Sequence, residues 1–415
     1  MKRHLAGILM TLLSLQSLHA LAQTNRIDII RPDAPELAAY GSYAVGVRTL
    51  ELLDPGRIDV LGTERGAANA SYDRPLTVEV WYPAQLAANQ QTGTEYLAIT
   101  RDPSITARLH GRAVRDAEPL RDNRYPLIII SHGYPGNRFL LSHLGENLAS
   151  KGYVTVSIDH TDSTYDDQQA FASTLYNRPL DQLFVLDTMA KLAATGSGSF
   201  LSQLVDIEQT GLIGFSMGGY GALNNLGAGF SEAAVNNIAG PPNRLLQARA
   251  ATNPDYRQGL DARIKAGLLI APWGMNTGFW DEQGLLGVSK PIFFVAGDAD
   301  VTAGYENGTR AIFTGTQNSD RYLLTFANAG HSVAAPIPMP IEILSSDTPA
   351  VAGHYLDSVW DSVRTNNILN HFATAFFALH LKQESESDRY LQDIEQGFTR
   401  GGTLGLRLEH GPSAR

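Results

Sequence analysis

Residues 211–222 read GLIGFSMGGYGA. An apolar run ends in a glycine, a serine follows two places later, and glycines come again. Few folds accept that order. A continuous apolar run is the mark of a strand covered on both faces, and Met217 to Leu226 has the spacing of a helix. Gly214-Phe215-Ser216-Met217-Gly218 is thus G-x-S-x-G set between a buried strand and a helix. So tight a turn strains the serine backbone and leaves no room for side chains two residues away. It lifts one hydroxyl above the sheet, at a helix N-terminus where partial positive charge gathers. Ser216 is the candidate nucleophile.

The rest of the chain supplies the sheet that such a turn needs. PLIIIS (126–131), YVTVSID (153–159), GLLIAP (267–272), PIFFVAG (291–297) and Tyr322 to Phe326 read as further strands. Helical stretches are expected at Phe139 to Ser150, at Leu183 to Leu192 and at Asn367 to Lys382. The last of these carries Ile368, Phe372, Phe376 and Leu379 on one face. Tyr43 to Leu52 and Leu76 to Tyr82 read as an antiparallel start, with a loop between them. Apolar strands alternating with helices give an α/β fold, a mostly parallel central sheet flanked by helices. Residues 23–40 read as a loose leader to a single domain spanning 23–415. Two stretches exceed the minimal pattern. Residues 227–263 are rich in Ala, Asn and Arg, and residues 334–359 are rich in Pro. Each follows a candidate catalytic residue, and both are expected as cap insertions over the site.

Composition removes several classes of function. Of 415 residues, 43% are hydrophobic, enough for a large core. A formal net charge of -10 without a basic stripe argues against nucleic acid or an anionic membrane as partner. The absence of cysteine rules out disulfides, a thiol nucleophile and thiolate metal sites. Lys2, Arg3 and His4 precede an apolar stretch, Leu5 to Leu18, that is too short to span a bilayer. Ala20-Leu21-Ala22 then gives a small-x-small cleavage pattern. Residues 1–22 therefore read as a signal peptide cut before Gln23, for a protein exported to the periplasm or medium without a stable membrane anchor.

A serine hydroxyl is a weak nucleophile. It needs a base, and the base needs an orienting acid. In a fold of this kind the chain order is Ser, then Asp or Glu, then His. PIFFVAGDAD supplies Asp298 and Asp300 just past a strand end. Asp300 is preferred because it stands three beyond the turn glycine, Gly297. His331, in a loop after the last predicted strand, is the candidate base. His354 lies in the second insertion, and His371 and His380 on the final helix suit structural roles. A tetrahedral oxyanion needs two fixed N–H donors. Met217 follows the nucleophile and offers one. The loop after PLIIIS offers the other, and Tyr134 is chosen because Pro135 has no N–H.

SHGYPGNR, ENLASKGYVTVSIDHTDS and GFSMGG together resemble the α/β-hydrolases of the platelet-activating-factor acetylhydrolase and dienelactone-hydrolase-like group, over roughly residues 43 to 382. The resemblance implies the α/β-hydrolase fold and a Ser-His-Asp triad. In the acetylhydrolase branch the acid follows the sixth strand, where this chain reads Leu269-Ile270-Ala271-Pro272 without a carboxylate. The dienelactone-hydrolase position, Asp300, is left. Ser216 stands where true dienelactone hydrolases use a cysteine, so their thiol chemistry does not carry over. The helix-strand segment also resembles secreted polyester hydrolases. Asp159, His160, Asp162, Asp166 and Asp167 do not follow the ligand order of a calcium loop, and Asp159 and His160 read as supporting or rim groups. No metal and no cofactor is expected. The reading is an exported serine hydrolase of small or polymeric carboxylic esters. An amidase or peptidase with the same triad is the rival, and a non-catalytic binding protein on this scaffold is a more distant one.

Overall fold

The computed structural model describes residues 25–88, 90–344 and 349–414; the expected signal peptide lies outside them. The strand Tyr125–Ser131 shows why the apolar runs are continuous. Ile128 and Ile130 enter one core cluster, and Leu127 and Ile129 enter another. Successive side chains point to opposite faces, and here both faces are covered.

Ten strands lie side by side. Across the sheet they run Leu406–Gly411, Arg321–Phe326, Ile292–Gly297, Ile264–Ile270, Val205–Phe215, Tyr125–Ser131, Val154–Asp159, Ser71–Gln85, Ala44–Ile58 and Val114–Arg115, and Glu118–Pro119 pairs with Ser71–Gln85 off this path. The six from Arg321–Phe326 to Val154–Asp159 are mutually parallel. Their carboxyl ends therefore share one edge, where ligands bind in open α/β sheets. The helices Phe171–Ala193 and Met217–Asn225 belong to one face, and Ser142–Ala149 and Ser362–Lys382 to the other.

Four features depart from the sequence reading. Residues 25–40 are not loose. Asn25–Arg26 pairs with Thr106–Gly111 in a second sheet completed by Thr94–Ile99. Leu37 N–H donates to His371 Nδ1 at 3.1 Å, and Asn367 Nδ2 donates to Ile29 O at 2.9 Å. Backbone groups that find such partners have little reason to stay in water. The helix expected at Leu183 to Leu192 begins twelve residues earlier, at Phe171. Its first half buries Ser173, Asn177, Arg178 and Asp181, so no apolar period announces it. The antiparallel pair Ala44–Ile58 and Ser71–Gln85 extends past both predicted strands. Finally, Leu406–Gly411 adds an antiparallel edge strand beside Arg321–Phe326, a half-buried segment with no strong pattern.

Candidate active site

The turn after Val205–Phe215 has the strain that its sequence implies. Ser216 sits at φ 52°, ψ -112°, outside the regions favoured by a residue with a Cβ. Its glycine neighbours are sterically required. A Cβ on Gly214 would lie 2.3 Å from the carbonyl carbon of Gly218, and one on Gly218 would lie 1.9 Å from Ser131 O. Three backbone bonds fix the elbow. Ser216 N–H donates to Ile270 O at 2.9 Å, and Ser216 O accepts from Tyr220 N–H at 3.0 Å and Trp273 N–H at 3.2 Å.

Asp300 follows Ile292–Gly297 and is 5% exposed. One carboxylate oxygen, Oδ1, accepts from Thr302 N–H at 2.7 Å and Ala303 N–H at 3.1 Å. The other, Oδ2, stands 2.8 Å from His331 Nδ1. The backbone pair fixes the carboxylate, and the carboxylate fixes the ring. Asp298 is exposed and accepts from Asn328 N–H at 2.6 Å, bracing the loop that carries His331 without reaching its ring. The structure thus brings Asp300, and not Asp298, against the candidate base.

Ser216 and His331 line one cleft of ≈ 610 Å³, together with Tyr134 and Phe215. The His331 ring packs on Phe215 with centroids 5.1 Å apart. Among the described residues, neither Tyr134 N–H nor Met217 N–H donates to an acceptor, and Met217 opens the helix directly after the serine. The Tyr134 hydroxyl donates to Gln169 O, and its ring lies 4.9 Å from that of Phe171. Bonds at the far end of the side chain therefore steady this loop.

The two expected caps part company. Residues 353–358 form a wall of the cleft. No lining residue comes from 227–263. That segment instead packs behind the nucleophile helix, where Arg249 Nη1 donates to Asn224 Oδ1 at 2.7 Å and Asn225 Oδ1 at 2.9 Å. Its buried apolar residues, Phe230, Val235 and Leu246, join the core beneath. His354 also reaches the cleft, but its Nε2 meets the Tyr165 hydroxyl at 2.6 Å. Burial, followed by the charges of Arg101 and His331, pulls its pKa down to about 3. His371 and His380 lie on Ser362–Lys382, away from the cleft lining.

Beneath the oxyanion loop lies a constellation of charged residues. His160 Nε2 meets Ser131 Oγ at 2.8 Å, and His160 Nδ1 meets Asp181 Oδ2 at 3.0 Å. Arg74 grips Asp181 with bonds of 2.9 and 3.0 Å, and Arg57 adds another of 2.9 Å. Arg178 donates to the carbonyls of His132 and Gly133, one residue before Tyr134. Burial raises the Asp181 carboxyl, but Arg74, His160 and Arg57 outweigh it and hold the group well below the usual carboxylate range. The acids near His160 are spoken for: Asp159 pairs with Arg138, and Asp162 with Arg74. Among the described residues no three His, Asp or Glu side chains are grouped to hold a metal ion.

A family model described as "PETase: PET hydrolase-like" matches residues 121–240. A solved ferulic acid esterase from Streptomyces cinnamoneus superposes with a TM-score of 0.57 at 21% identity, over 85% of this chain and 94% of that one. The likeness shows the α/β-hydrolase fold.

In sequence the chain is similar to the cutinase est1 of Thermobifida alba, 27% identical over 51% of this chain and 55% of the relative. It is similar as well to a bis(hydroxyethyl) terephthalate hydrolase of Streptomyces coelicolor, 25% identical over 66% of this chain and 71% of the other. The match spans about half the length of the cutinases. These relatives do not single out the acetylhydrolase or dienelactone-hydrolase group. The family match contains Ser216, Tyr134 and Met217, whereas Asp300 and His331 lie beyond it. Arg74 and Asp181 had no local signal, because they come from separate elements and meet only through packing, and Arg178 lies in the polar half of the Asp181 helix.

Proposed function

We propose that this protein is an exported serine hydrolase that cleaves carboxylic esters. The observation that carries the reading is the 2.8 Å contact between His331 Nδ1 and Asp300 in the cleft that also holds the strained Ser216. Ser216 Oγ attacks the ester carbonyl while His331 Nε2 takes its proton. Asp300 holds the ring and stabilises the imidazolium that forms. The N–H groups of Tyr134 and Met217 receive the oxyanion. His331 then protonates the departing alcohol, and water, activated by the same ring, releases the acid from the acyl-enzyme. Fluorophosphonate labelling tests this directly: Ser216 becomes modified, 4-nitrophenyl butyrate hydrolysis stops, and Ser216→Ala neither labels nor turns over. Hydrolysis that survives in Ser216→Ala refutes the mechanism.

Polymeric esters are the second substrate reading. Leu356 on the cleft wall is 45% exposed, an apolar group open to an extended chain. The cutinase and terephthalate-ester relatives agree with it. Export rests on the leader at residues 1–22, and the mature N-terminus of secreted material, expected at Gln23, tests it. Among the described residues no helix is long and apolar enough to cross a membrane.

A further inference from the structure

The cleft wall carries a cation that no described residue pairs with. Arg101 lines the cleft and is exposed. Among the described residues its guanidinium enters no hydrogen bond, ion pair or ring contact; only its backbone N–H is engaged, by the Tyr355 hydroxyl at 3.1 Å. An unpaired surface arginine is ordinary by itself. This one stands on a braced backbone in a reactive cleft. Thr100 N–H donates to Ile105 O at 2.9 Å, Thr100 Oγ1 to Asp102 O at 2.9 Å, and Asn137 Nδ2 to Ile99 O at 2.7 Å. The turn is thereby tied to the oxyanion loop on one side and to residues 353–358 on the other.

The acids nearby are turned elsewhere. Asp102 accepts from Ser104 N–H at 3.0 Å and Ser104 Oγ at 2.6 Å. Asp357, also on the cleft wall, accepts from Gly330 N–H at 2.7 Å and from Val359 and Trp360 N–H at 2.9 Å. Asp300 is saturated by His331 and two backbone donors. Both acids on or beside the cleft thus serve the base loop. The charge of Arg101 is felt inside the wall, where it opposes protonation of His354. A guanidinium presents a planar fork of donors that fits a carboxylate in two-point contact.

We propose that Arg101 is a specificity residue for esters that carry a free carboxylate, such as half-esters of dicarboxylic acids or acyl esters of hydroxy acids. This rests on the esterase reading above. The guanidinium pairs with the carboxylate while Ser216 attacks the ester a few bonds away. No proton moves at Arg101, and the chemistry of the acyl-enzyme is unchanged.

Matched pairs of esters test it. Mono-(4-nitrophenyl) glutarate against 4-nitrophenyl pentanoate places the carboxylate on the acyl side. The butanoyl ester of 4-hydroxybenzoate against phenyl butanoate places it on the alcohol side. For each pair the ratio of kcat/KM, charged over neutral, is measured in wild type, Arg101→Ala and Arg101→Lys. At least one ratio is expected to fall about tenfold in the alanine variant, the scale of one partly screened charged hydrogen bond. Lysine restores part of it, and added salt lowers the wild-type ratio towards the alanine value. The pair that responds tells on which side of the scissile bond Arg101 lies. Ratios that stay the same in Arg101→Ala for both pairs overturn the proposal while leaving the esterase reading standing. A wild type that cleaves no ester of either pair overturns both.

Discussion

Among the described residues the molecule groups the same three residue types twice. At the open edge of the sheet are Ser216, His331 and Asp300. One layer below are Ser131, His160 and Asp181, with histidine contacts of 2.8 and 3.0 Å. The differences lie around them. Ser131 ends a regular strand and is fully buried, whereas Ser216 stands on a strained turn that opens into a cleft. Asp300 is held by two backbone N–H groups, while Asp181 is clamped by Arg74 and Arg57. Burial and the Arg178 charge, against Asp181, hold His160 down at about 3, which unfits it for a base near neutral pH. A grouping of Ser, His and Asp is thus no enzyme by itself. Backbone strain, access and free N–H donors make the outer one a candidate catalyst, and their absence makes the inner one a brace.

The sharpest way to break this comparison is to exchange the two serines for alanine. Ser216→Ala is expected to lower kcat by about a millionfold, as loss of the nucleophile does in such triads. Ser131→Ala is expected to keep activity within a few-fold and to label normally with a fluorophosphonate. Substantial turnover in the first variant, or loss of labelling in the second, would erase the distinction.

The acids come next. Asp300→Asn is expected to cost about 10⁴-fold in kcat, because the wrong ring tautomer is then favoured. Asp298→Asn, which only loosens the loop at Asn328, should cost far less. The reverse order would move the acid to Asp298.

Asp181→Asn probes the inner set by stability instead. It leaves Arg74 and Arg57 facing a neutral group in a buried site. A loss of about 3–5 kcal/mol in urea denaturation is expected, the usual result of breaking a buried ion pair. An unchanged midpoint would mean that the brace carries no stability.

The smallest effect, per group, is that of pH. Burial holds His143 down at about 4, and His160 and His371 at about 3, each against an ordinary 6.5. Between those values and 6.5 the unfolded chain binds protons that the folded chain refuses. Stability is therefore whole above 6.5 and falls as pH drops through that window, by up to about 1.4 kcal/mol per pH unit for each histidine. Urea midpoints that stay level from pH 6.5 to 4.5 would contradict this.

Much of the outer site was legible in the sequence, for physical reasons. Ser216 announces itself because sterics force glycines around it. Asp300 and His331 each follow a strand that is apolar on both faces, so a continuous run points to them. The inner site was mostly illegible. Asp159 and His160 were seen as supporting groups, but Arg178 and Asp181 sit in the polar half of a helix with no apolar stripe, and Arg74 in a strand of mixed character. Nothing in a one-dimensional pattern brings Arg74 to Asp181, 107 positions apart. The place of residues 227–263 was illegible for a related reason. Following a candidate residue in the chain says nothing of which side of the sheet a segment takes, and the buried Phe230 and Leu246 of this one pack in the core beneath the helix Met217–Asn225.

The edge strand Leu406–Gly411 gives the molecule an order in time. It flanks Arg321–Phe326, and Gly405 O accepts from Ala327 N–H at 2.8 Å, four residues before the base. Synthesis runs from the N-terminus, so Tyr134, Ser216, Asp300 and His331 all emerge well before this strand. A chain halted at residue 404 holds all three candidate residues, yet the strand that leads to His331 has one side unpaired. The candidate residues are made early and their surroundings completed late, when residue 411 has been made and the strand before His331 gains its outer neighbour.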